Sequence, residues 1–298
     1  MDQLRYGYLC ELGDYAIIQY IIWGFASIGV QVVLRLKIKT VLKNFIYSFY
    51  QKRLETQSKN WQIPYHVGIV LDGNRRYAKG QGFSDIIRGH YDGADKLEDV
   101  LNWCDEFGIK IVTIWVFSLD NFKREQSEVM DILTLIEEKI REMIVDHKVH
   151  KNQIRIRSMG RINLLPLSLQ NAIYDAEEAT KHYNQFILNI AVAYGGREEI
   201  IDAIQQHLYT EAESKKDIHQ IADELTTELI SPYLYTSQLP DPDLIIRTSG
   251  EVRLSGFLLW QSVYSEFYFC ETYWPALRKI DFLRAIRDYS NRKRRFGT

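Results

Sequence analysis

The chain has 298 residues, of which 46% are hydrophobic and 26% charged, a composition that suits one large α/β domain with an appendage and excludes an intrinsically disordered chain. Its formal charge of −2 offers no overall attraction to nucleic acid, so any anion site must be local. Cys10, Cys104 and Cys270 are isolated and lack CxxC spacing, which argues against a disulfide framework or a structural zinc site and for a reducing compartment.

Residues 15–34 carry no charged side chain, and about 20 such residues suffice to cross a bilayer core. Gln19 and Gln31 weaken a spanning reading, so a helix lying in the membrane interface stays open beside it. Asp2, Glu11 and Asp14 precede the run, while Arg35, Lys37, Lys39 and Lys43 follow it. That bias leaves the downstream domain in the cytosol. A secretory signal fits poorly, because its basic region would come first. Residues 35–60 read as a basic connector. The expected division is therefore a membrane-associated segment at 1–60 and a folded domain at 61–298.

Beyond Pro64, apolar strand-like runs fall at residues 67–71, 111–117, 154–159, 186–193, 244–246 and 266–269. Helix-patterned stretches at 89–107, 127–147, 168–182 and 198–210 separate several of them. This alternation predicts an α/β domain, a mostly parallel sheet flanked by helices. Such sheets bind ligands at the carboxyl ends of their strands.

The first run ends in Asp72-Gly73-Asn74-Arg75-Arg76. The strand delivers Asp72 to its carboxyl end, Gly73 lets backbone approach a ligand, and two arginines offer planar donors matched to phosphate. Arg88-Gly89-His90-Tyr91-Asp92-Gly93 then opens a helix whose amides, with His90, can address an anion. After the second run, Phe117-Ser118-Leu119-Asp120-Asn121-Phe122-Lys123-Arg124 shares the same rim. Asn121 suits orienting a substrate, Arg124 a phosphate, and Phe117 and Phe122 an apolar wall; a plain helix-capping loop explains the segment equally well. His147 and His150 lack a partner set for a metal and read as surface residues. Tyr194-Gly195-Gly196-Arg197 permits either a tight turn or ligand contact. The acidic stretch 209–231 reads as solvated helix and loop, and Pro240-Asp241-Pro242 as a turn into the next strand. That strand ends in a second basic cluster, Arg247-Thr248-Ser249-Gly250-Glu251-Val252-Arg253-Leu254-Ser255. Glu266 is a candidate to join Asp72 around Mg²⁺, a hard cation that prefers oxygen ligands. The tail Arg292-Lys293-Arg294-Arg295 is densely basic, but without a recognised module it gives no nucleic-acid reading.

Taken together, HVGIVLDGNRRYAKGQG, GHYDGADKL, VFSLDNFKRE, MGRINLLP, YGGREEI, IIRTSGEVRLSGFLLWQ and the terminal RRFG closely resemble the cis-prenyltransferases, the family of undecaprenyl and dehydrodolichyl diphosphate synthases. The match runs in order over about residues 61–298. Arg75 in DGNRR and the RTSGEVRLS form look like the eukaryotic dolichol branch. The resemblance implies a fold with an apolar tunnel and a Mg²⁺-dependent condensation of isopentenyl diphosphate with an allylic diphosphate, farnesyl diphosphate being the expected primer. It implies catalytic roles for Asp72, Arg76, His90 and Asn121. Substrate binding falls by the same resemblance to Gly73, Asn74, Arg75, Arg76, Tyr77, Arg88, His90, Ser118, Phe122, Arg124, Arg247, Arg253 and Ser255. Asp72 and Glu266 become the metal-linked acids. Arg295 and Gly297 match a C-terminal RxG signature that reaches into a neighbouring subunit, which implies a homodimer. Three positions depart from the pattern: Asp120 stands for the usual Glu, Arg88 replaces a displaced arginine, and Arg161 stands where Asp is common. The implied setting is the endoplasmic reticulum membrane and dolichol synthesis. The alternatives are a subunit that depends on a heteromeric partner and a membrane-anchored scaffold without turnover; retention of Asp72, Arg76, Arg247 and Arg253 argues for catalysis.

Overall fold

The computed structural model describes residues 47–214 and 216–292. Contacts divide the chain into two units at Gln57 and Ser58. The apolar run at 15–34, Arg295 and Gly297 lie outside the described residues. Among those described, no helix is long and apolar enough to cross a membrane. In the first unit, residues 47–57 are helical (α1), with Gln51 donating to Glu55 across one turn at 3.0 Å.

The second unit is built on six parallel strands: β1 (His66–Val70), β2 (Ile111–Ser118), β3 (Ile154–Met159), β4 (Phe186–Tyr194), β5 (Leu244–Arg247) and β6 (Glu266–Phe269), in the order β3-β4-β2-β1-β5-β6. All six expected runs become strands. Between them lie α2 (Asn74–Gly80), α3 (Ile87–Glu106), α4 (Gln126–Val145), α5 (His147–Lys151), α6 (Leu167–Thr180), α7 (Gly196–Glu213), α8 (Ile218–Glu224), α9 (Thr227–Ile230) and, after β6, α10 (Lys279–Asn291). The acidic stretch near 209–231 is thus the end of α7 with α8 and α9.

The two-residue period of a strand sorts side chains to opposite faces. Val67, Ile69, Val112, Ile114, Leu188, Ile190, Leu244 and Ile246 belong to one core with Leu97, Val100, Ile132, Leu169 and Phe282 of the helices. Val70, Ala191, Tyr194 and Ile245 face a second core closed by Phe257 and Leu258. Strands buried on both faces must be apolar at nearly every position, which is why they read as continuous runs. One polar string crosses the sheet: His66 lies 2.8 Å from the Thr113 hydroxyl, which also accepts from Asn189. Burial holds the His66 imidazole down at about 4, so it is neutral in this string.

The chain leaves β1 on one side towards β2 and returns on the other as β5, so the strand order reverses at β1. A crevice opens there, outside the carboxyl ends. Two glycines of α3 bring α2 close to its rim: a Cβ on Gly89 would lie 2.3 Å from the Asn74 carbonyl oxygen, and one on Gly93 would lie 2.5 Å from Asn74 Oδ1. Gly89→Ala is therefore expected to force α2 and α3 apart and to lower stability by about 1–3 kcal/mol, the usual cost of overpacking. Urea unfolding of the purified variant measures it.

Candidate active site

Asp72 emerges from β1 at the crevice. The Thr248 hydroxyl and the Trp274 amide both donate to its carbonyl oxygen, at 2.7 and 3.0 Å. Gly73 follows at φ 111°, and a Cβ there would meet Tyr273 at 2.8 Å, so glycine is required on both counts. Arg247, the last residue of β5, is only 5% exposed. It donates one Nη to Asp72 Oδ2 at 2.8 Å and the other to Ser255 Oγ at 2.8 Å and to the Arg253 carbonyl. Arg76, from the first turn of α2, donates to Asp72 Oδ1 at 3.1 Å, Ser249 Oγ at 2.7 Å and Glu251 Oε1 at 2.9 Å. Arg253 pairs with the other Glu251 oxygen. Ser249 and Ser255 hold φ values of 80° and 54°, strained backbone of the kind that collects at functional sites.

Burial works to raise the Asp72 pKa, but hydrogen bonds from Arg247 and Ser249 and the charges of Arg247 and Arg76 outweigh it, so the carboxyl is held below its ordinary range. The carboxylate is ionised and shared between two guanidinium groups.

The opposite wall comes from β2. Ser118 and Asn121 cap the turn reciprocally: Asn121 N–H donates to Ser118 Oγ at 3.2 Å, and Ser118 N–H donates to Asn121 Oδ1 at 2.8 Å. Capping therefore occupies the Asn121 oxygen and aims its amide group. Arg124 and Arg75 both rest on Glu128 Oε1, at 2.9 and 3.4 Å. His90 sits beside them with a buried Nε2 that has no partner, and Asn74 Oδ1 is likewise buried and unpartnered. Desolvation, with the charges of Arg124 and Arg75 prevailing over Glu128, holds His90 down at about 4. Its ring is neutral near pH 7, a hydrogen-bonding group rather than a cation.

These side chains line a cavity of about 500 Å³ bounded by Asp72, Gly73, Asn74, Arg75, Arg76, Lys79, His90, Ser118, Asn121, Arg124, Arg247 and Ser255. A second cavity of about 330 Å³ shares Leu71, Asn74, His90, Val116 and Ile132 with it. Its lining continues along Leu97, Leu101, Leu135, Ile136, Ile140, Met143, Ile156, Leu188 and Ile190. The site thus joins a polar, arginine-rich head chamber to an apolar chamber between α3, α4 and the sheet, a shape that fits an amphiphile with an anionic head.

Several expected residues fall elsewhere. Glu266 starts β6 and pairs with Leu244 at the start of β5, whereas Asp72 lies beyond the end of β1. About 3.3 Å per residue separates these levels, so within one chain Glu266 stands some five residues away along the strands and binds Arg292 instead. Within one chain it therefore does not meet Asp72, because a parallel sheet sends strand starts and strand ends to opposite edges. Among the described residues no group of three or more His, Cys, Asp and Glu forms a metal cage. Arg88 is exposed and stacks on Phe83, 4.4 Å from the ring centroid. Tyr77 packs edge-on to Phe83, and Phe122 to Phe117; neither lines the cavity. Arg253 reaches Glu251 rather than the chamber. Gly196 has a turn role, since a Cβ there would lie 2.3 Å from the Gly256 carbonyl that its own N–H binds. Arg161 forks onto Asp202 at 2.8 and 3.0 Å, a counterion that accounts for a base at that position. His150 is half-buried between Tyr183 and the Ile144 carbonyl rather than on the surface. Sequence reasoning missed Glu128, Lys79 and Trp115. Glu128 carried a signal as an acid four residues after Arg124, although Arg124 lies in extended backbone before α4 and reaches back to the first turn of that helix.

Residues 70–297 match the family model described as "Putative undecaprenyl diphosphate synthase". The chain is 48% identical over 261 residues to an isoprenyl transferase of Deinococcus radiodurans, covering 87% of this chain and 95% of that protein. It is 49% identical to a tritrans,polycis-undecaprenyl-diphosphate synthase (geranylgeranyl-diphosphate specific) of Methanocaldococcus jannaschii, covering 85% and 89%. Among solved structures, lavandulyl diphosphate synthase from Lavandula x intermedia in complex with dimethylallyl diphosphate superposes with a TM-score of 0.72 at 32% identity, covering 79% of this chain and 99% of that one.

A buried neutral histidine must take up a proton when the chain unfolds in acid. With a folded value of about 4 against 6.5 for the free side chain, the contribution of His90 is complete above about pH 6.5 and is lost as pH falls towards 4. Between pH 7 and pH 5 the parent chain is expected to lose about 2 kcal/mol more stability than His90→Gln, as read by denaturant unfolding at both pH values.

Proposed function

The chain belongs to the cis-prenyltransferase family of undecaprenyl diphosphate synthases, and we propose that it condenses isopentenyl diphosphate with an allylic diphosphate, farnesyl diphosphate being the primer, to build a long cis-polyprenyl diphosphate. The observation that carries this reading is the continuity of the arginine-lined chamber at Asp72 with the apolar chamber behind it. One holds a diphosphate, the other a growing hydrocarbon.

In this reading Arg75, Arg124 and His90 take the allylic diphosphate. Its oxygens compete with Glu128 for both arginines, and His90 offers the ring nitrogen that lacks a partner. Arg247 and Ser255, with Arg253 at the rim, take isopentenyl diphosphate. Asn121, oriented through its capped oxygen, positions substrate between them. Departure of diphosphate concentrates negative charge where the arginines already point, so donors placed in advance lower the barrier without reorganising. Apolar walls keep water from the allylic cation. Asp72 is the residue that would hold Mg²⁺, a hard cation suited to a carboxylate beside phosphate-binding groups. When bound it neutralises charge on the leaving diphosphate.

The DGNRR and RTSGEVRLS forms support a dehydrodolichyl-type product for protein glycosylation; an undecaprenyl product suits the bacterial and archaeal relatives. Product length separates the two. A homodimer completed by Arg295 and Gly297, and attachment to the endoplasmic reticulum membrane through residues 15–34, belong to the same proposal.

The purified single chain, given labelled isopentenyl diphosphate, farnesyl diphosphate and Mg²⁺, is expected to yield long products on chromatography. No incorporation by a folded chain would instead favour dependence on a partner subunit. Asp72→Asn, which keeps the shape beside Arg247, is expected to lower turnover at least about 100-fold, the scale of losing one preorganised charge contact, in a chain still folded by circular dichroism at the assay temperature but with a lower melting temperature, because Arg247 loses its counter-charge. Removal of residues 1–60 is expected to shift the protein from the membrane to the soluble fraction on centrifugation; a truncated chain still in the membrane fraction contradicts the anchor.

A further inference from the structure

The head chamber is lined from both faces of the sheet. His90 of α3, Ile132 of α4 and Val116 line it on one side, whereas Val70 and Trp115 belong to the second core on the opposite face. There the Trp115 indole is held by two other rings. It stacks on Phe257 with centroids 5.4 Å apart and planes at 11°, and it meets Tyr194 edge-on at 6.0 Å. Phe257 and Tyr194 are themselves fully buried, so the indole rests on a close-packed bed that fixes its orientation.

Trp115 Nε1 is buried and has no hydrogen-bond partner among the described residues. Trp274 shows the ordinary outcome, its Nε1 donating to the Gly93 carbonyl at 2.6 Å. A buried donor left unmade costs stability, and native chains keep few of them. An indole N–H can only donate, so the missing partner is an acceptor, and the chamber that Trp115 borders is where one can arrive. Register shows which acceptor. Trp115 and Arg247 both pair with Val70, so they stand level on either side of β1 and on the same face. Two strand spacings put about 10 Å between their backbones, room for both side chains and a diphosphate between them. Phe257, which carries the indole, lies two residues after Ser255, whose hydroxyl accepts from Arg247 at 2.8 Å.

We propose that Trp115 is a further binding residue for isopentenyl diphosphate, its indole N–H donating to an oxygen of the diphosphate that Arg247 and Ser255 hold. The inference rests on the two-substrate reading given above. Because Phe257 and Tyr194 fix the ring, the donor waits in place before substrate enters. It is also neutral, so it adds direction without adding charge to a chamber that already holds Arg75, Arg76, Arg124 and Arg247. His90 plays the matching part for the allylic diphosphate from the other face of the sheet. Each half-site then combines arginine with one buried, uncharged ring nitrogen.

The test is heteronuclear NMR of the full chain carrying isotope-labelled tryptophan. Trp115→Phe, or Trp115→Tyr where that variant folds better, identifies the Trp115 indole signal among the six tryptophans. Isopentenyl diphosphate is expected to move that signal downfield in the parent chain, and isopentenol, which lacks the diphosphate, is expected to leave it in place. In calorimetric titration Trp115→Phe, which keeps a ring on Phe257, is expected to bind isopentenyl diphosphate about tenfold more weakly, the scale of one hydrogen bond to a charged acceptor. Affinity for farnesyl diphosphate is expected to be retained. A parent signal that stays still, a folded variant with parent affinity, or equal weakening of both substrates would overturn the contact while the condensation stands. A parent chain whose signal moves but which incorporates no isopentenyl diphosphate overturns the condensation and leaves the contact standing.

Discussion

The ion pair between Arg247 and Asp72 ties the carboxyl ends of two neighbouring parallel strands, and the site is assembled outward from it. Arg247 is nearly inaccessible to water, and a buried guanidinium without a counter-charge is strongly destabilising. Asp72 meets that demand at 2.8 Å, and it can do so because β1 and β5 are hydrogen-bonded neighbours in register from Val67 and Leu244 onward. The second carboxylate oxygen then fixes Arg76, and through it Ser249 and Glu251. Three loop residues and one helix residue are positioned by one buried charge.

Around this centre the polarity changes over a short distance. The head chamber carries five arginine and histidine side chains; the chamber behind it is walled by leucine and isoleucine. His90 and Asn74 stand at the junction, each with a buried atom left unsatisfied. Leaving such atoms without partners costs folding energy, and a ligand headgroup at the boundary is what would satisfy them. The neutrality of His90 follows from the same position: burial and neighbouring arginines both oppose a proton there. Glycines at positions 73, 89 and 93 let α2, α3 and the Trp274 segment crowd the rim.

Much of this was legible in the chain. The central strands β1, β2, β4 and β5 announced themselves as apolar runs because both of their faces are buried, whereas the edge strands β3 and β6 are only partly covered; Asp72, Ser118 and Arg247 stand at or just past the carboxyl ends of their strands. Strand direction also held the information that sets Glu266 apart within one chain, since it opens β6 whereas the others stand at or just past the carboxyl ends of β1, β2 and β5. Arg88 and His90 lie two residues apart on α3, yet only His90 faces the chamber. A helix turns about 100° per residue, so neighbours in sequence point in different directions. Glu128 drew no attention as one acid among many until the start of α4 brought it under Arg75 and Arg124.

The sequence by itself determined the α/β alternation, the chemistry of the two arginine clusters and the family, because these depend on local pattern and on short motifs that need no partner to be recognised. Tertiary structure alone decided which carboxylate answers Arg76, which acid underlies Arg75 and Arg124, that Glu266 stands apart, and that α3 and α4 enclose an apolar chamber. Those outcomes depend on strand order, register and helix rotation. Each is set by how buried surfaces from distant segments pack, and no segment carries that information alone.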